Sequence, residues 1–246
     1  ALLADPLPGD SPTLEVRSPY SGELLGTVAG TNEANAERAL EVAYAVFRDK
    51  RSWLRPEFRG KVLERAAAIM RDRYNELVET ATSEGGKPLV DSRVEVTRAI
   101  DGVKLCYETL RNEAGQVVPV TEPNEAIRRL AFTQKEPIGV VLAFSAFNHP
   151  LNLIVHQVAT AVAAGCPVIV KPASTTPLSC YKFVEILHEC GLPREWCQMV
   201  MPENHALSGK MASDHRVAFF SFIGSARVGW QLRSKLAAGT RAALEH

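Results

Sequence analysis

The chain has 246 residues, 46% hydrophobic and 23% charged, the balance of an ordinary globular protein. Lys+Arg and Asp+Glu number 28 each, so the formal net charge is zero and no basic field exists for nucleic acid or an anionic membrane. The longest apolar stretch, 154–170, is broken by His156, Gln157, Thr160 and Pro167, and no basic segment precedes the apolar residues at the N-terminus; a cytoplasmic protein without membrane or nucleic-acid partners is expected.

Residues 1–12, rich in Pro and Asp, read as an arm. Alternation at 14–17 and 24–28 predicts two short strands joined by the turn Ser18-Pro19-Tyr20-Ser21-Gly22. Thr31-Asn32-Glu33 offers an N-cap for a helix over 34–48. A second helix starts at Pro56. Its apolar positions Val62, Leu63, Ala66, Ile69, Met70 and Leu77 keep helical spacing, which predicts one continuous helix to about residue 82, ended by Gly85-Gly86-Lys87-Pro88. A third runs over 89–114.

The pattern changes near Val117. Residues 128–133 alternate like a strand, and 139–144 is a continuous apolar run, the mark of a strand buried on both faces. Then follow a helix at 151–164, a strand at 167–171, a helix at 177–189, a short strand at 198–201, a helix at 204–212, a strand at 217–223 and a helix at 226–238. Strands alternating with helices of this length imply βαβ units and an open parallel sheet of the α/β class. The five cysteines, Cys106, Cys166, Cys180, Cys190 and Cys197, are odd in number and lack CxxC spacing or histidines at ligand spacing, so free thiols packed as small hydrophobes are expected, and no metal site.

Ligands of an open parallel sheet bind outside the carboxyl ends of its strands. Three junctions there stand out: Phe144-Ser145-Ala146-Phe147-Asn148-His149-Pro150, Lys171-Pro172-Ala173-Ser174 and Phe222-Ile223-Gly224-Ser225. None is a GxGxxG fingerprint. Gly224 and Gly229 flank the opening of a helix whose N–H groups can hold a phosphate.

In order and spacing, these pieces resemble the aldehyde dehydrogenase superfamily over nearly the whole chain. The likeness rests on Pro19-Tyr20-Ser21-Gly22, Glu84-Gly85-Gly86-Lys87-Pro88, Glu136-Pro137-Ile138-Gly139-Val140-Val141, Phe147-Asn148-His149-Pro150, 164–173 and Phe222-Ile223-Gly224-Ser225. It implies a Rossmann-like cofactor domain over 1–116 and 139–246, with a β-hairpin excursion over 117–138 that mediates homodimer or homotetramer assembly. It also implies oxidation of a small-molecule aldehyde to a carboxylic acid with NADP or NAD, through a cysteine thiohemiacetal and thioester.

The resemblance assigns roles residue by residue. Asn148 supplies an oxyanion-hole amide; the alternative is a cap for the helix beginning near Pro150. Lys171 bonds the adenosine ribose. Ser174 stands where NAD-preferring members carry Glu; losing that carboxylate removes repulsion of a 2′-phosphate and favours NADP. Ser225 contacts the pyrophosphate, and Gly224, Ser145 and Phe147 complete the cofactor contacts. Glu245 matches the general base that activates water. The ending Leu244-Glu245-His246 is also that of an appended histidine tag, but 239–243 fits the family's approach to the base and favours the native reading. The pattern departs at Ala146-Phe147, where Pro-Trp is usual, at Pro202-Glu203-Asn204-His205, where a glycine-rich turn is frequent, and at His149 in place of Phe. No cysteine occupies the family's nucleophile context, so these residues are expected to be the portion preceding the catalytic cysteine domain. The competing expectation is a non-catalytic dinucleotide-binding or assembly module of the same fold.

Overall fold

The computed structural model describes residues 1–9, 11–120 and 129–246. The N-terminal portion is an antiparallel hairpin, β1 (Thr13–Arg17) and β2 (Leu24–Ala29), followed by helices α1 (Glu33–Arg48), α2 (Pro56–Asp72), α3 (Tyr74–Gly85) and α4 (Leu89–Asn112). Short strands β3 (Val117–Val118) and β4 (Ala131–Phe132) pair antiparallel. Thereafter the chain alternates: β5 (Val140–Phe144), α5 (Asn152–Ala164), β6 (Val168–Lys171), α6 (Leu178–Glu189), β7 (Cys197–Met199), α7 (His205–Ala212), β8 (Val217–Ile223), α8 (Ala226–Arg233) and β9 (Arg241–Glu245).

Among the described residues, β5 to β9 form one open parallel sheet in the order β7-β6-β5-β8-β9. The order reverses at β5, where the chain turns back to lay β8 on its other side, as in doubly wound folds. Every β5 residue is buried, as its unbroken apolar run predicts. Successive side chains go to opposite layers. Val141 and Ala143 join a core with Val168, Val170 and helices α2 to α6; Val140, Leu142 and Phe144 join a second with α1, α7, Phe220 and Phe222.

The edge at β7 is covered by the N-terminal arm. Leu2 bridges Met199 antiparallel through bonds of 2.9 and 2.8 Å, and the Ala4 N–H donates to Gln198 Oε1 at 3.1 Å, which removes an open strand edge. Gly86 caps α3 in the left-handed region, φ 64°; a Cβ there would lie 2.5 Å from Pro19 Cγ, so this turn admits only glycine.

Three expectations need correction. The helix expected over 56–82 is two helices, broken at Arg73 (φ −96°, ψ 21°). Buried positions continue from Met70 to Leu77 at a multiple of the helical repeat, so the apolar pattern carries no trace of the break. The last helix ends at Arg233, not residue 238; turns at 234–240, with Thr240 N–H donating to Ala237 O at 3.1 Å, deliver the chain into β9. That strand was not anticipated. Its residues are mostly exposed, so no alternation marks it, and it is held by backbone pairing with β8. The excursion expected over 117–138 pairs Val117 with Phe132 and Val118 with Ala131; its residues 121–128, and Asp10 of the arm, lie outside the described residues.

Candidate functional site

The register of the sheet sets the site. Phe144 is level with Lys171 on one side and Phe222 on the other, and Phe222 is level with Leu244. The carboxyl ends of β5, β6, β8 and β9 therefore lie along one edge, and these ends and the loops leaving them carry Ser145, Phe147 and Asn148; Lys171 and Ser174; Gly224 and Ser225; and Glu245. Sequence reasoning named these residues separately, and the parallel sheet brings them to the same carboxyl edge.

Two grooves open there. One, about 440 Å³, is lined by Pro12 to Leu14, Gly30, Lys171, Ser174 and the segment Met201 to His205 with Ser208. The other, about 630 Å³, is lined by residues of β1, Pro19, Glu84, Gly85, Phe147 and Ser174 to Thr176. Ser174 is common to both. The Lys171 ammonium donates to Pro172 O at 3.2 Å and lies 5.6 Å from the Phe144 ring centroid; burial pushes its pKa down. Ser145 is tied by its N–H to Lys171 O at 3.0 Å, yet its buried hydroxyl has no hydrogen-bond partner among the described residues.

At β8, Gly224 donates its N–H to Glu245 O at 3.0 Å, and a Cβ there would meet the Phe222 ring at 2.8 Å. Ser225 is the N-cap of α8 with extended backbone, and its hydroxyl makes no capping bond, which leaves it available to a ligand at the helix N-terminus. Glu245 ends β9 with its side chain exposed.

Asn148 does not cap α5. Its side chain is exposed, and the N-terminus of α5 is held instead by Glu95 of α4, whose Oε1 accepts from Leu151 N–H at 2.8 Å and Asn152 N–H at 3.0 Å. Glu84 of α3 does the same for α6, accepting from Leu178 N–H at 2.7 Å and Ser179 N–H at 2.8 Å. Both helices thus borrow a cap from the α3–α4 layer; a carboxylate suits the positive end of the helix dipole. Burial raises the Glu84 pKa to about 7, against the opposing pull of the α6 N–H groups. Glu95 is fully buried and ion-pairs with Lys87; the Lys87 ammonium also donates to Asn148 O at 3.2 Å and lies 3.5 Å from His149 Nδ1.

In the sequence Glu84 and Lys87 stand out only as parts of a helix-ending motif, and Glu95 carries no motif at all. The available signal was an acid inside an apolar stripe: Ser92, Glu95, Val96, Ala99, Ile100 and Val103 recur on the buried face of α4.

The cysteines are free thiols. Cys166, Cys180, Cys190 and Cys197 are buried; Cys106 is half-buried on α4, and burial raises its pKa to about 11. None lies on the loops of the carboxyl edge.

Comparison with known proteins places this geometry. Residues 7–246 match the model of the aldehyde dehydrogenase family. The 3-sulfolactaldehyde dehydrogenase of Priestia aryabhattai is 33% identical over 222 residues, covering 90% of this chain and 46% of that protein. Among solved structures, aldehyde dehydrogenase 21 of Physcomitrella patens, in complex with the reaction product succinate, superposes with a TM-score of 0.91 at 31% identity, covering 99% of this chain and 50% of that one. The glyceraldehyde-3-phosphate dehydrogenase GapN of Methanocaldococcus jannaschii, complexed with NADP, superposes with a TM-score of 0.86 at 28% identity, covering 94% and 50%. The chain spans about half the length of the curated relatives it matches. It belongs to the aldehyde dehydrogenase family.

Proposed function

We propose that this chain is the cofactor-binding portion of an NAD(P)-dependent aldehyde dehydrogenase, which oxidises an aldehyde to a carboxylic acid. The observation that carries the proposal is the level row of strand ends, where Lys171 and Ser174 meet in one groove beside the Asn148 loop.

The residues present fit a dinucleotide. Among the described residues Lys171 supplies a cation with one hydrogen-bond acceptor and the Ser145 hydroxyl is buried with no partner, and the Ser225 hydroxyl is free of its own helix cap. Lys171 would hold the ribose, Ser225 and the N–H groups beyond Gly224 the pyrophosphate, and Ser145 and Phe147 the flanks. The bound cofactor supplies the hydride acceptor. Asn148 would donate its amide to the aldehyde oxygen as negative charge develops, and Glu245 would take a proton from the hydrolytic water. Membership of residues 7–246 in the family match, with Glu245 in register on β9, supports the native reading of that residue. The nucleophilic thiolate is proposed to lie outside residues 1–246.

Ser174 favours NADP, since no carboxylate at that position opposes a 2′-phosphate. Residues 1–116 and 139–246 would form the cofactor domain, and 117–138 an assembly hairpin of a cytoplasmic homo-oligomer. Val117, Leu130 and Phe132, 72%, 76% and 67% exposed, supply the apolar surface that such an interface covers.

Calorimetry of the chain with NADP and NAD tests the site. Binding of both, with NADP at least as tight, is expected. Failure to bind either refutes the proposal, and rejection of NADP alone refutes the preference. Cofactor binding without aldehyde oxidation by the full-length protein would favour a non-catalytic module.

A further inference from the structure

We infer that Lys87 and Glu95 are positioning residues for the Asn148 amide; this rests on Asn148 acting as the oxyanion donor. Residues 145–151 join β5 to α5, Asn148 lies within this loop, and the α5 N-cap residue, Leu151, contributes no side-chain capping bond. The pair fixes this loop at Asn148 and at its junction with α5. Lys87 Nζ donates to the Asn148 carbonyl at 3.2 Å, and Glu95 Oε1 accepts from the N–H groups of Leu151 and Asn152 at 2.8 and 3.0 Å. The other Glu95 oxygen is bonded to Lys87, which closes the clamp, and His149 Nδ1 stands 3.9 Å from that same oxygen.

The clamp sits where a rigid reference is needed. The Glu95 side chain is 0% exposed and that of Lys87 only 13%, so neither is free to reorient in solvent. A peptide unit is planar, and each residue has only two soft backbone torsions. With the carbonyl at 148 and the N–H groups at 151 and 152 all tied to one buried ion pair, the backbone from which the Asn148 side chain projects has little freedom. An oxyanion donor acts by being in place before charge develops, so its backbone setting bears directly on rate and not on cofactor affinity.

The test is epistasis in the full-length enzyme. Glu95→Gln and Lys87→Met should each lower kcat by about 10- to 100-fold, the scale of a small misplacement of a catalytic group, with the KM for NADP unchanged. Asn148→Ala should itself lower kcat by about 100-fold or more. Added to Asn148→Ala, either clamp substitution should then cost less than about twofold, because the group it positions is gone. A purely structural role predicts the opposite: equal losses in both backgrounds, or no loss of kcat in the enzyme that retains Asn148. Either result overturns the inference while leaving the reading of Asn148 intact. A wild-type full-length protein that oxidises no aldehyde overturns both. If Glu95→Gln fails to fold, Lys87→Met decides, since Lys87 does not touch the α5 N–H groups, and Lys87→Arg should restore most of the rate.

Discussion

Replacing Glu84 by Gln should remove a pH dependence of folding that the buried carboxyl imposes. Glu84 is 1% exposed, and burial raises its pKa from the ordinary 4.5 to about 7; the neighbouring Glu95 charge pushes the same way, and the α6 N–H groups push against it. An acid whose pKa rises on folding binds its proton more tightly in the folded state. Its contribution is therefore fully present below pH 4.5 and is lost as pH rises through 7. The interval of about 2.5 units, at about 1.4 kcal/mol per unit, amounts to about 3.5 kcal/mol over the whole pH range. Glutamine carries no such titration and keeps one oxygen for the α6 N–H groups. Urea unfolding of the wild type and of Glu84→Gln between pH 5 and 8 measures the effect. The wild-type stability relative to the variant should fall by about 2.5 kcal/mol across that range, most steeply near pH 6, midway between the unfolded and folded values, and level off above pH 7. A difference that stays flat, or one that grows with pH, would show that the two N–H bonds outweigh burial and that Glu84 stays ionised in the folded chain throughout.

Three further outcomes are expected. Ser174→Glu should weaken NADP binding by about tenfold or more and spare NAD, from like-charge repulsion of the 2′-phosphate at short range; calorimetry with both dinucleotides checks it. Lys171→Met should weaken both cofactors, and because burial lowers the Lys171 pKa, wild-type affinity should decline with rising pH before the ordinary lysine range is reached, a decline absent in the variant. Phe132→Glu should shift the chain toward monomer in light scattering, since it places a charge on the exposed apolar strand pair; unchanged association would exclude that hairpin as the contact.

The sheet was legible because its strands are either continuous apolar runs, as at 140–144, or short runs followed by turn residues, and because the helices between them keep their period. The common location of the proposed site residues Asn148, Lys171, Ser174 and Ser225 was legible because a parallel sheet brings its strand ends to one edge; their proposed roles come from the family resemblance. Three kinds of feature were hidden. β9 owes its existence to a neighbour's backbone, and exposed residues such as Arg241 and Ala242 carry no periodic mark of that pairing. The break at Arg73 leaves the apolar spacing intact. Glu84 and Glu95 are hidden for a different reason: each bonds N–H groups more than fifty residues away, and local patterns report only local partners.

These two glutamates explain why the N-terminal helices matter to a site built from the later strands. A short loop between a parallel strand and its helix leaves the first N–H groups of the helix without partners, and Ser, Thr, Asp or Asn at the N-cap is the local remedy. Here α5 and α6 have Leu151 and Pro177 at that position, neither of which can cap. The caps come from α3 and α4 instead, so the loops that carry Asn148 and Ser174 hold their shape only while those helices stay docked. The turn at Gly86 places the two carboxylates on successive helices, since α3 ends at Gly85 and α4 begins at Leu89. Residues 84–95 thus act on both the proposed oxyanion loop and the proposed cofactor loop, and a substitution there should disturb the site without replacing any residue proposed to meet a ligand.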